Sequence, residues 1–126
     1  MGVNDRVNIL LVDDQPARLL TYQSILSDLG QNLVFAHSGT EALDKLMRDE
    51  FAVVLLDVSM PEMDGYETMR RIRSNHKFRL LPIIALTAKA MKGDREKCLE
   101  AGASDYVAKP VNTDQLLSLV RMWLHP

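Results

Sequence analysis

Residues 52–65 read AVVLLDVSMPEMDG. The first five are apolar without a break, and a run that short and that continuous predicts a strand buried on both faces, as in a parallel sheet. Asp57 ends it. Working outward, four more short runs lie at 7–12, 33–36, 83–86 and 106–108. The runs at 7–12 and 83–86 are nearly as apolar as 52–56, whereas those at 33–36 and 106–108 are shorter or more mixed and are placed nearer the sheet edges.

A helical pattern follows each run. Pro16 suits a first helical turn, and Tyr22, Ile25, Leu26 and Leu29 then repeat at helical spacing before Gly30, a C-terminal cap. Ser38 with Glu41 reads as a capping box ahead of Ala42, Leu43, Leu46 and Met47. A third helix is expected over about 65–73, and a fourth over 92–101 with a thin apolar face of Cys98 and Leu99, closed by Gly102. The fifth starts near Asn112 and carries Leu116, Leu119, Val120, Trp123 and Leu124. Five βα units in succession predict an α/β fold with a parallel sheet and right-handed crossovers.

The chain has 126 residues, 47% hydrophobic and 25% charged, with a net charge of −2. One domain over 1–126 is expected, closing its core without staples. The balanced charge gives no support for nucleic acid or a membrane as a direct partner. A lone cysteine, Cys98, excludes an internal disulfide and fits a reducing cytoplasm. No apolar run is long enough to span a bilayer, and residues 1–8 lack the apolar stretch of a signal peptide. The six glycines form neither a dinucleotide fingerprint nor a P-loop. The basic residues Arg70, Arg71, Arg73, His76, Lys77 and Arg79 cluster at a helix C-terminus and read as a solvated face. Trp123 reads as core.

Parallel sheets place their sites beyond the carboxyl ends of the strands. Asp13 and Asp14 follow the first run, Asp57 the third, Thr87 the fourth and Lys109 the fifth. Singly these are a helix cap, a loop acid, a strand-end threonine and a surface lysine. Together they bring three carboxylates, a hydroxyl and an ammonium to one crevice. Three close carboxylates repel and call for a cation, and oxygen ligands suit Mg²⁺. A carboxylate beside such an ion is a competent nucleophile for a phosphoryl group, whose oxygens a hydroxyl and an ammonium can hold. The set fits reversible phosphoryl transfer onto an aspartate.

The segments VDD at 12–14, LLDVSMPEMDG at 55–65, ALTA at 85–88 and AGASDYVAKP at 101–110 resemble the response regulator receiver domains of two-component systems, and the resemblance runs over residues 7–124. It implies a flavodoxin-like (βα)5 fold with strand order 2-1-3-4-5 and helices on both faces. It implies that Asp57 is the phosphoacceptor, and that Asp14, Asp57 and the Ser59 carbonyl ligate Mg²⁺ while Asp13 acts through water. Thr87 and Lys109 would hold the phosphoryl group, the Lys109–Pro110 bond would be cis, and Tyr106 would be the aromatic that moves with Thr87. Ser59 and Lys89 fall where members of the family differ, which bears on phosphoryl lifetime.

The resemblance further implies a cytoplasmic signalling switch, phosphorylated by a histidine kinase or histidine phosphotransfer protein as in a phosphorelay. Its only catalysis would be its own phosphorylation and autodephosphorylation. It would act on a downstream effector protein or fused domain through the fourth helix, fifth strand and fifth helix. The wording of the motifs resembles receivers attached to multidomain histidine kinases. Two rivals stand beside this reading. A metal-dependent phosphatase with an aspartyl nucleophile usually carries a second acid two residues on, where this chain has Gln15 and Ser59. A phosphorylation-independent adaptor has no need of the intact acidic set.

Overall fold

A computed structural model describes residues 6–58, 65–88 and 92–124. Ser59, Lys89 and His125 lie outside these. The strands are β1 (Asn8–Val12), β2 (Asn32–Ala36), β3 (Val53–Asp57), β4 (Ile83–Thr87) and β5 (Asp105–Ala108). The helices are α1 (Pro16–Leu26), α2 (Gly39–Arg48), α3 (Gly65–Ser74), α4 (Lys92–Ala101) and α5 (Thr113–Leu124), with 3₁₀ turns at Ser27–Leu29 and His76–Phe78. All strand pairs are parallel and the order is β2-β1-β3-β4-β5. The two mixed runs are the edges, as their composition predicts.

Alternation along each strand divides the core in two. Leu10, Val12, Val54, Leu56, Ile83 and Ala85 face α2, α3 and α4 through Ala42, Leu46, Met69, Ile72 and Cys98. Ile9, Leu11, Val53, Leu55, Ile84, Leu86 and Val107 face α1 and α5 through Leu19, Tyr22, Leu26, Leu116 and Val120. Every residue of β3 and β4 is buried. Each large apolar side chain so enclosed contributes about 1.5–3 kcal/mol. The same enclosure leaves the ends of β3 and β4 as their outlets for polar chemistry.

Local signals behave as their physics requires, with these differences. Gly30 takes the left-handed conformation (φ 69°) but closes the 3₁₀ turn that extends α1. At α2 the Ser38 hydroxyl accepts from the Glu41 N–H at 3.0 Å, yet the Glu41 carboxylate reaches back to the N–H of His37, one residue beyond a capping box. Arg73 is not part of a solvated face. It is half-buried and donates to the carbonyls of Gly102 and Phe78 and to the Ser104 hydroxyl, tying α3 to the turn before β5. Gly102 sits at φ 119°, and a Cβ there would strike the Arg73 stem. Two expected core residues face outward instead: Met47 and Leu99 are 59% and 44% exposed. Trp123 is half-buried, with its indole N–H 3.5 Å from Asp105 Oδ2.

Candidate phosphoacceptor and metal site

The register of the sheet builds the site. Val12 pairs with Leu56, Asp57 with Leu86 and Thr87 with Ala108, so Asp13, Asp57, Thr87 and Lys109 meet at one end of the sheet. The chain is pinned there by backbone bonds from the Asp13 N–H to Ala36, from Val58 to Leu86 and from Lys109 to Thr87. The Lys109–Pro110 bond is cis. Gly65 opens α3 directly behind β3; a Cβ at that position would collide with the Val58 Cα and the Asp57 carbonyl, so only glycine lets the helix start this close to Asp57.

Asp13 and Asp57 are fully buried and Thr87 nearly so. Lys109 Nζ stands 2.6 Å from Asp57 Oδ1. The second carboxylate oxygen, Oδ2, accepts from Arg18 Nη1 at 3.1 Å, and the same nitrogen lies 3.6 Å from Asp13 Oδ1. Asp13 Oδ1 also accepts the Gln15 N–H at 2.9 Å. By strand alternation Asp13, Asp57 and Lys109 continue the face that packs on α1 and α5, which is why a residue of α1 can reach them. Thr87 and Tyr106 continue the opposite face: Ala85 pairs with Tyr106 and Thr87 with Ala108. Tyr106 packs, half-buried, against the core cluster on that face, with the Arg95 guanidinium of α4 5.7 Å from its ring centroid.

The five residues expected at the strand ends are thus assembled: Asp13, Asp14, Asp57, Thr87 and Lys109. Tyr106 lies two register positions back from the Thr87 level. Arg18 was not among the expected residues. Its only sequence signal is position: one turn into the helix that follows Asp13 and Asp14, four residues ahead of the buried Tyr22.

Burial raises the Asp13 carboxyl above its ordinary 3.8, and Asp57 adds to the effect; the Gln15 N–H, Arg18 and Lys109 oppose it without cancelling it. Burial pushes the Tyr22 hydroxyl up to about 12, with the charges of Asp13 and Asp57 adding to the effect. A carboxyl with a raised folded pKa holds more protons folded than unfolded. Stability therefore falls as pH rises from 3.8 through the raised value, and at neutral pH the Asp13 charge is a standing cost to the metal-free fold. Asp13→Asn keeps an acceptor for Gln15 and removes the charge. It is expected to raise the metal-free melting midpoint by about 3–6 °C, read by thermal melts in excess chelator. An unchanged or lower midpoint contradicts the account.

The same carboxylates fit a divalent ion. Asp13, Asp14 and Asp57 each offer an oxygen within 4.8 Å of the others. Asp13 Oδ2 is buried and accepts no hydrogen bond among the described residues, which is costly unless a cation or an ordered water fills that place. Carboxylate oxygens alone are a donor set for Mg²⁺ rather than for a softer metal.

The family model for the response regulator receiver domain matches residues 9–121. The sensor protein GacS of Pseudomonas syringae pv. syringae is 40% identical over 118 residues, 91% of this chain and 13% of that protein. Among solved structures, the receiver domain of the sensor histidine kinase PA1611 from Pseudomonas aeruginosa PAO1 is 37% identical with a TM-score of 0.88, covering 96% of this chain and 99% of that one; it holds a magnesium ion in its active site cleft. The chemotaxis protein CheY4 of Vibrio cholerae is 29% identical at the same TM-score, covering 94% of this chain and 99% of the other. The chain belongs to the response regulator receiver domain family and is a receiver of two-component signal transduction. It spans about an eighth of the length of the GacS protein it matches. No helix among the described residues is long and apolar enough to cross a membrane.

Proposed function

We propose that this receiver takes a phosphoryl group onto Asp57 from a phosphohistidine of a histidine kinase or histidine phosphotransfer protein, in the cytoplasm. One observation carries the assignment: Asp57 is a fully buried carboxylate at the end of a central strand, held by Lys109 at 2.6 Å and clustered with Asp13 and Asp14. A carboxylate oxygen of Asp57 attacks phosphorus. The P–N bond to the donor imidazole breaks, and its electron pair stays on the imidazole nitrogen. Lys109, already paired with one Asp57 oxygen, offsets the charge that develops as the phosphoryl group arrives. Thr87, at the adjacent strand end, supplies a hydroxyl to a phosphoryl oxygen. Asp13, Asp14, Asp57 and the backbone carbonyl of Ser59 are the groups that would hold Mg²⁺, with Asp13 acting through water. When bound, the ion supplies positive charge to the phosphoryl oxygens.

In a second, separate step water attacks phosphorus, the acyl oxygen–phosphorus bond breaks with its electron pair staying on Asp57, and inorganic phosphate leaves carrying the water's oxygen, the released proton passing to solvent. These two self-reactions are the chain's only catalysis. Output runs through α4, β5 and α5 to an effector protein or fused domain. Relatives that are sensor kinases and response regulators support donors and effectors of this kind. The test of the function is incubation with a phosphorylated histidine phosphotransfer domain: label moves from the donor to this chain if the reading holds, and stays on the donor if it does not.

Thr87 and Tyr106 share a face, so a hydroxyl drawn toward the phosphoryl group vacates space on the side where the Tyr106 ring packs. Thr87→Ala removes one hydrogen bond, about 1–1.5 kcal/mol, so phosphoryl uptake slows roughly tenfold but persists. The Tyr106 response is expected to be lost. NMR shifts of the Tyr106 amide and ring with a beryllofluoride mimic read it; the same response in mutant and wild type contradicts the coupling.

A further inference from the structure

Among the described residues, the acidic pocket holds one cation that the reaction above does not use. Arg18 Nη1 contacts Asp57 Oδ2 at 3.1 Å and stands 3.6 Å from Asp13 Oδ1, bridging two carboxylates expected to serve the metal site. The burial of the partners is unequal. Both carboxylates are fully enclosed, while the Arg18 side chain is 37% exposed, so the guanidinium can withdraw to solvent and the acids cannot follow it. Lys109 differs on both counts: it binds the other Asp57 oxygen and is only 16% exposed.

A magnesium ion accepts carboxylate oxygens at about 2.0–2.1 Å and keeps several waters. An ion and its water shell set between Asp13 and Asp57 need the space that the guanidinium fills, and the two positive charges repel. We infer that Arg18 is an internal counter-cation that competes with the divalent ion for Asp13 and Asp57, occupying their shared space in the metal-free protein and leaving it when the metal binds. The inference rests on the reading of this pocket as the metal and phosphoacceptor site. It gives Arg18 a regulatory part: it offsets the repulsion among the acids at rest and lowers metal affinity by the free energy of its own two contacts. Linkage makes the effect reciprocal, so bound metal weakens the hold on Arg18 by the same factor.

The experiment titrates Mg²⁺ into the metal-free whole chain, wild type and Arg18→Gln, followed by amide NMR, with melts in chelator and in saturating Mg²⁺. Three results are expected. Arg18→Gln binds Mg²⁺ about threefold to tenfold more tightly, the range of one partly buried ion pair. Its metal-free midpoint falls by about 2–5 °C, while the Mg²⁺-saturated midpoints of the two proteins coincide. In wild type the Arg18 Nε–H resonance moves toward that of free arginine as Mg²⁺ is added. Equal or weaker Mg²⁺ binding by Arg18→Gln, an equal fall in both midpoints, or an Arg18 resonance unmoved by metal overturns the inference. Wild type that binds Mg²⁺ and takes phosphate while Arg18→Gln behaves identically defeats the inference alone. Wild type that binds no Mg²⁺ defeats the reading of the pocket and the inference with it.

Discussion

Asp57→Asn protein, given a small acyl-phosphate donor and Mg²⁺, is expected to acquire no phosphoryl group, while wild type gains one. An amide oxygen carries no full negative charge and is a poor nucleophile at neutral pH, so the loss is essentially complete rather than graded. Asp13 is less well equipped to substitute. Asp13 Oδ1 is engaged by the Gln15 N–H, and Lys109 forms its short contact with Asp57. The fold is expected to survive. Asparagine has the volume of aspartate, and the change removes a repulsion on Asp13 along with the pairs to Lys109 and Arg18. These oppose one another, and stability is expected to shift by no more than about 2 kcal/mol either way. Intact mass after exposure to donor reads the first outcome and a urea or thermal melt the second. A full phosphoryl mass gain in the mutant contradicts the assignment.

Removing divalent cations is the second large effect. With chelator in excess, phosphoryl uptake by wild type is expected to fall at least about a thousandfold, beyond the loss of a single oxyanion donor. The pocket explains why. It presents three carboxylates within 4.8 Å of one another against Lys109 and Arg18, and a phosphoryl donor brings further negative charge to it. Asp14→Ala, which removes a ligand and a charge together, is expected to weaken Mg²⁺ binding sharply in the same titration. Uptake at the wild-type rate in chelator contradicts a metal-assisted site.

Much of this was legible in the sequence because it depends on short-range pattern. Continuous apolar runs at 52–56 and 83–86 read as strands covered on both faces, and the polar residues at the ends of successive runs, Asp57 and Thr87 among them, point to a site only when taken together. The mixed runs fall at the edges because an edge strand keeps one side open. What the sequence hid depends on long-range geometry. Arg18 and Asp57 are 39 residues apart, and an arginine in the first turns of a helix ordinarily belongs to solvent. Only the alternation that sends Asp13 and Asp57 toward α1 brings it in. Arg73 was hidden in a basic cluster in which Arg70 and Arg71 pair locally with Glu67; its own partners are carbonyls and a hydroxyl that the fold brings from elsewhere. The helix stripes overcounted the core at Met47 and Leu99, because α2 and α4 each bury a narrower strip than their apolar spacing offers. Ser59 and Lys89, the positions expected to tune phosphoryl lifetime, are outside the described residues.

The central claim is that Asp57 carries the phosphoryl group. Wild-type protein phosphorylated in Mg²⁺ by a histidine phosphotransfer domain can be trapped with borohydride, which reduces an aspartyl phosphate to a homoserine, and digested for mass spectrometry. The account predicts homoserine at position 57 and no other reduced acid. Homoserine at position 13 or 14, or phosphate recovered on a hydroxyl or histidine with Asp57 unaltered, contradicts it.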